Sequence, residues 1–234
     1  MPVLAMRSVL LSLCLALATA AHAANDEFWP EVRLYKQLDE TARLYFSADY
    51  TEGKESNAAS TSASANVTAA VDVSLEPVWR VALRSQDWER NRYLWARFGY
   101  TRVSKIELGT RELSEDRGIL ALNARGQLPA EIWFEGRARA DLRWIGDDYS
   151  TRYRLRGQLA REFDPFGRAM LLYARAEWFY DTRFDAHSRT LYQLGVEKSL
   201  TRHFRVEAYL AWQYDYQPQD DSLHALGLVA KWYY

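Results

Sequence analysis

Apolar and charged residues alternate with a period of two along much of this chain. The clearest stretch is Glu131 to Trp144. Ile132, Phe134, Gly136, Ala138, Ala140, Leu142 and Trp144 fall on one parity, and Trp133, Glu135, Arg137, Arg139, Asp141 and Arg143 on the other. Successive side chains of a strand point to opposite faces, so this pattern predicts a strand with one apolar and one charged face. A helix would spread the same charges around its whole circumference.

The period returns along the chain. Arg152, Arg154, Arg156 and Gln158 oppose Tyr153, Leu155, Gly157 and Leu159. Arg175, Glu177 and Asp181 oppose Ala174, Ala176, Trp178 and Tyr180. Arg205, Glu207, Gln213 and Asp215 oppose Phe204, Val206, Trp212 and Tyr214. Nearer the start, Arg43, Ser47 and Asp49 oppose Leu44, Phe46 and Tyr50, and Thr68 and Asp72 oppose Val67, Val71 and Val73.

Turn residues separate these runs. Leu128-Pro129-Ala130, Asp164-Pro165-Phe166-Gly167 and Ser199 to Arg202 read as short turns, while Gly146 to Asp148, Asp181 to His187 and Gln217 to Asp221 read as more polar connections. Alternating short turns and longer loops, with strands of roughly ten residues, are the pattern of a membrane-spanning barrel. The expected fold is all-β, an antiparallel up-and-down transmembrane β-barrel of about twelve strands, within a range of roughly ten to fourteen. The first half is harder to assign. Thr51 to Asn66 is rich in Ser and Ala and reads as a connection. It faces one rim if Pro77 divides two strands. It faces the other if Val67 to Leu83 is one bulged strand, which makes the total odd.

Alternation alone does not say which face points inward, because a soluble lipocalin-type barrel has the same period with its apolar face inside. The aromatics favour the opposite arrangement. Trp144, Trp178, Tyr180, Trp212 and Tyr214 share the apolar parity and all lie where strands enter polar connections; Trp232 and Tyr234 lie at the other strand ends. Sorting of aromatics by height suits the two interfaces of a bilayer. Nine arginines on the opposite parity would be costly in a sealed apolar core.

The N-terminus reads as an export signal over residues 1–23. Arg7 precedes a mostly apolar run from Val9 to Ala20, and Ala21-His22-Ala23 provides the small residues of a cleavage site. That run is shorter than the roughly 20 residues of a spanning helix. The mature domain is then residues 24–234, in the cell outer membrane of a Gram-negative bacterium. The only cysteine of the chain, Cys14, lies in the signal, so no disulfide or thiol chemistry is expected of the mature domain. With 30 basic and 31 acidic residues, the chain lacks the basic excess of a nucleic-acid binder.

Two resemblances follow. The ending Leu226-Gly227-Leu228-Val229-Ala230-Lys231-Trp232-Tyr233-Tyr234 resembles the C-terminal signal of outer-membrane proteins. It implies recognition by the barrel assembly machinery through Gly227, Trp232 and Tyr234. More broadly, several short segments together are similar to a family of uncharacterised proteobacterial outer-membrane barrels, porin-like in form, that carry a domain of unknown function. They are Phe28-Trp29-Pro30-Glu31, Asp87-Trp88, Phe98-Gly99-Tyr100, the Arg-x-Arg runs at Arg137 and Arg152, Ala176 to Asp181, and Gly195-Val196-Glu197. The resemblance implies a barrel and a location, and no particular substrate.

Candidate chemistry lies on the charged parity. Glu135, Arg137, Arg139, Arg143, Arg152, Arg154, Arg156, Arg175 and Glu177 are candidates to line a lumen and contact a solute. One reading is a rigid structural barrel laced by ion pairs. The other is a narrow channel for small anionic solutes, since rings of Arg favour anions in pores. Arg152-x-Arg154-x-Arg156 has no interleaved acid, and Glu135 and Asp141 alone would not balance the six arginines of these two runs, which leaves residual positive potential unless more distant carboxylates such as Glu177 fold across. The alternative function is an outer-membrane enzyme that modifies lipid or lipopolysaccharide. Its best support is His187 beside Ser188 and Asp185, but adjacency in sequence does not make a triad. The loop acids Asp147, Asp148, Asp181, Asp185, Asp215, Asp220 and Asp221 could bridge to lipopolysaccharide through divalent cations, yet they have no ordered calcium-loop spacing. No catalytic residue, metal or cofactor is assigned. The expected partners are outer-membrane lipids and lipopolysaccharide, the assembly machinery and a small anionic solute.

Overall fold

A computed structural model of the chain describes residues 26–54, 61–75, 93–107, 113–164, 169–217 and 221–234. Among these, eleven strands close into one barrel. They are β1 (Asp26–Gln37), β2 (Ala42–Lys54), β3 (Thr61–Ser74), β4 (Leu94–Glu107), β5 (Leu113–Leu128), β6 (Ile132–Ile145), β7 (Asp148–Phe163), β8 (Met170–Asp181), β9 (Ala186–Ser199), β10 (Phe204–Asp215) and β11 (Asp221–Tyr233). Each strand pairs antiparallel with its sequence neighbour, as the alternation and turns predict. The expected segment Glu131 to Trp144 corresponds to β6, which is entered through a 3-10 turn, Pro129–Glu131, where Ala130 and Glu131 both have positive φ.

An odd number of alternating strands leaves the first and last running the same way. The barrel therefore closes through a parallel seam, with Asp26 opposite His224 and Tyr35 opposite Tyr233. Inside this seam the rings of Tyr35 and Tyr233 stack 4.8 Å apart, at 4°. At its end the Gln37 amide donates to the Tyr234 carbonyl and the Tyr234 amide donates to Tyr35.

Three expectations need correction. Thr51 to Asn66 is not simply a connection: β2 runs to Lys54 and β3 begins at Thr61, pairing Thr51 with Ser64. Their hydroxyls bond at 2.5 Å. The end of β2 and the start of β3, Lys54 and Thr61, lie at the rim opposite the C-terminus, as the odd-strand alternative requires, although β3 ends at Ser74. The connections at that rim are also no longer than the others in the second half. Residues 146–147, 182–185 and 216–220 separate the strand ends there, and 129–131, 164–169 and 200–203 separate those at the C-terminal rim. Gly146, at a φ of 61°, permits the two-residue turn there. Finally, Asp181 closes β8 inside the barrel and is not a loop acid. The signal segment 1–23, Pro77, Asp87-Trp88, Pro165 to Gly167 and Asp220 lie outside the described residues.

The apolar parity faces outward. Leu155 is 62% exposed and Phe98 53%, whereas Asp72 and Asp181 are fully buried and Glu207 is 1% exposed. Aromatic contacts cluster on the outer face toward the rim opposite the C-terminus. Trp144 meets Tyr149, Trp178 stacks on Tyr180, and Tyr192 meets Tyr214. At the C-terminal end Phe204 meets Trp232.

Candidate functional site

The closed sheet encloses a cavity of about 550 Å³. Among the described residues that line it, twelve are Arg or Lys and seven are Asp or Glu. The lining thus has more cations than carboxylates, with Asp72 and Asp141 paired to lining arginines from behind.

Of the residues predicted for the site, Glu135, Arg137, Arg139, Arg154, Arg156, Arg175 and Glu177 line this cavity. Register explains their grouping. On β6 and β7, Arg137 lies opposite Arg156 and Arg139 opposite Arg154. Like charges placed directly across a strand pair repel, so this ladder needs carboxylates from elsewhere. Glu177 on β8 reaches across, accepting from Arg137 Nη2 at 2.7 Å and Arg154 Nε at 2.9 Å. Asp141 takes Arg139 at 2.5 Å and Arg154 at 3.4 Å. Glu135 takes Arg156 at 3.2 Å. Arg175 donates to two neutral amides, Gln158 at 2.8 Å and Gln193 at 2.9 Å, with Glu207 at 3.8 Å.

Arg143 and Arg152 belong to a second group. Both clamp Asp181, at 2.5 and 2.8 Å, and Arg143 also bonds Glu115, which holds Arg117 at 2.6 Å. The six inward-facing arginines of β6 and β7 therefore share five carboxylates, because Glu115, Glu177 and Asp181 join Glu135 and Asp141 from the flanking strands. Glu177 folds across as the sequence allowed, and Glu115 and Asp181 add carboxylates that the two runs alone do not show.

Two further networks were not singled out by the sequence. Asp72 holds Arg43 at 2.8 Å and Arg97 at 2.6 Å, and the Arg97 guanidinium lies 3.7 Å above the Tyr45 ring. Across the cavity, Glu207 receives Lys231 at 2.7 Å and a hydrogen bond from Tyr173, with Arg33 at 3.9 Å. Lys231 also pairs with Glu197. The parity of Leu226, Leu228, Ala230 and Trp232 already turns Lys231 inward, but within the terminal motif it reads only as part of an assembly signal. Gly227 and Trp232 lie on opposite faces of β11. Gly227 packs inside under Tyr209, while Trp232 and the exposed Tyr234 end the strand.

The three residues suggested for a triad do not join. His187 Nε2 contacts the Thr190 hydroxyl and the Arg189 carbonyl, and its ring stacks on Trp178. Ser188 donates to the Phe179 carbonyl, and Asp185 accepts from Tyr180. Of the rim acids, Asp215 is paired with Arg189 and Gln213.

A family model described as "Protein of unknown function (DUF2490)" matches residues 26–224, from the start of β1 into β11. No curated protein matches the chain.

Proposed function

The chain belongs to this family of unknown function, and from that premise we propose that it is an exported barrel of the bacterial outer membrane whose narrow, Arg-rich interior favours anions. The observation that carries the proposal is the inversion of the sheet: large apolar side chains stand outside and ion pairs lie inside. Water disfavours so continuous an apolar exterior, whereas lipid accepts it. Within a bilayer every strand must find its hydrogen-bond partners internally, which closure achieves. The outer aromatic contacts suit the headgroup level of a bilayer. In this reading the C-terminal rim faces the periplasm, the terminal motif engages the assembly machinery, and outer-membrane lipid and lipopolysaccharide cover the outside.

The cation excess of the cavity supports a preference for small anionic solutes over cations. The interior ion pairs also brace the wall, so any conducting path is narrow.

The test is expression of the full chain followed by fractionation and planar-bilayer recording. The expected protein starts near Ala24, sediments with outer membranes, shifts in gel mobility on boiling, and gives small anion-selective currents. Recovery as a soluble periplasmic protein overturns the location. A silent bilayer across salts and voltages leaves only a structural barrel, and cation selectivity refutes the charge argument.

A further inference from the structure

The Arg137–Arg156 cross-strand pair lacks partners for part of each side chain. The Nε of both is buried without a hydrogen-bond partner. Arg156 reaches one carboxylate, Glu135, at 3.2 Å, and Arg137 shares the same Glu177 oxygen with Arg154. Arg175, which follows on β8 opposite Gln158, also lines the cavity, and its close hydrogen bonds go to neutral amides. Buried guanidinium N–H groups left unpaired lose the hydration they had in water. Two opposed like charges add repulsion. An anion between them would relieve both.

We infer that Arg137 and Arg156, with Arg175 beside them, form a binding site for a small oxyanion, a phosphate or carboxylate group, within the barrel. The inference deepens the anion-favouring reading of the interior and rests on it. The fork of a guanidinium matches a group with two adjacent oxygens better than a spherical halide. Glu135 and Glu177 already take one bond from each guanidinium, which leaves few free donors and suits a small group.

The experiment is calorimetric titration of the refolded mature barrel with millimolar inorganic phosphate at constant ionic strength. The expected result is saturable binding that Arg156→Gln and Arg137→Gln each weaken about tenfold or more, as loss of a charge-assisted hydrogen bond implies. Arg102→Gln, on the outer face, should leave it unchanged. Acetate competes if carboxylates belong to the class, and failure to compete restricts it to phosphates. Absence of saturable phosphate binding, or binding that both variants leave intact, overturns the site. Should a variant fail to fold, the unmodified barrel decides: a higher melting midpoint in millimolar phosphate than in chloride supports the site, and equal midpoints overturn it. Bilayer recording separates this site from the channel. Anion-selective conductance without saturable phosphate binding removes the site and keeps the channel, while phosphate binding without conductance does the reverse.

Discussion

The ring of Tyr209 on β10 lies over Gly227, its register partner on β11, so closely that a methyl group at 227 would fall within the ring. Tyr173 covers Gly195 in the same way, two strands earlier. Glycine here is the seat of an aromatic side chain inside the wall. Gly227→Ala should therefore destabilise the refolded barrel by about 1–3 kcal/mol, the range for overpacking. Gly126→Ala, where no atom lies within 4 Å, should be neutral. Urea unfolding of both variants checks this, and equal midpoints would remove the packing role.

Facing is tested by charge. Ala138 stands on the outer parity among Leu122, Leu155 and Trp178. Ala138→Arg should impair insertion by about 2–4 kcal/mol if this level lies near the bilayer midplane. Gln158→Glu places its charge inside beside Arg175 and should insert normally. Folding yield into vesicles, read by heat-dependent gel mobility, separates the two; a tolerated Ala138→Arg would argue against lipid on that face.

Much of the wall was legible because its alternating residues differ sharply. On β6 and β7, Arg against Ala or Leu gives the period, the facing and the neighbours at once. Where β3 begins, over residues 61–66, the sequence sets Ser and Asn against Thr and Ala, a contrast too weak to mark a strand, although Thr51 and Ser64 do pair. The charge balance was only half legible. Parity shows that Glu177 points inward, but the length of a side chain and the curvature of the sheet decide that it reaches past Arg156, its cross-strand partner, to Arg137 on β6.

Glu177 is the shared acceptor of Arg137 and Arg154. Glu177→Gln should cost about 3–5 kcal/mol, because it leaves buried charge uncompensated. Arg154→Met in the same chain should restore part of the loss, since one orphaned cation goes with it. A double-mutant cycle by denaturant unfolding gives the coupling; strictly additive effects would mean the pair does not act as one.

Tyr234 acts through backbone and ring separately. Its amide and carbonyl close the β1–β11 seam, while its side chain is 70% exposed. Tyr234→Ser should refold in vitro with stability within about 0.5 kcal/mol of the parent, as for most exposed substitutions. In cells it should assemble more slowly if the terminal aromatic is read by the assembly machinery. Deleting Tyr234 should also weaken the seam in vitro. Pulse-chase assembly and unfolding of both forms distinguish the two roles, and normal assembly of Tyr234→Ser would remove the ring from the signal.

The parallel seam has a practical corollary for engineering. Because β1 and β11 run in the same direction, Asp26 and Tyr234 lie at opposite rims. In an even-stranded barrel a few residues could join the ends and new termini could be cut elsewhere. Here a joining linker must travel the full height of the wall, through the cavity or along the outside. Reporter peptides fused before β1 and after β11 should accordingly emerge on opposite faces of whatever layer the barrel crosses.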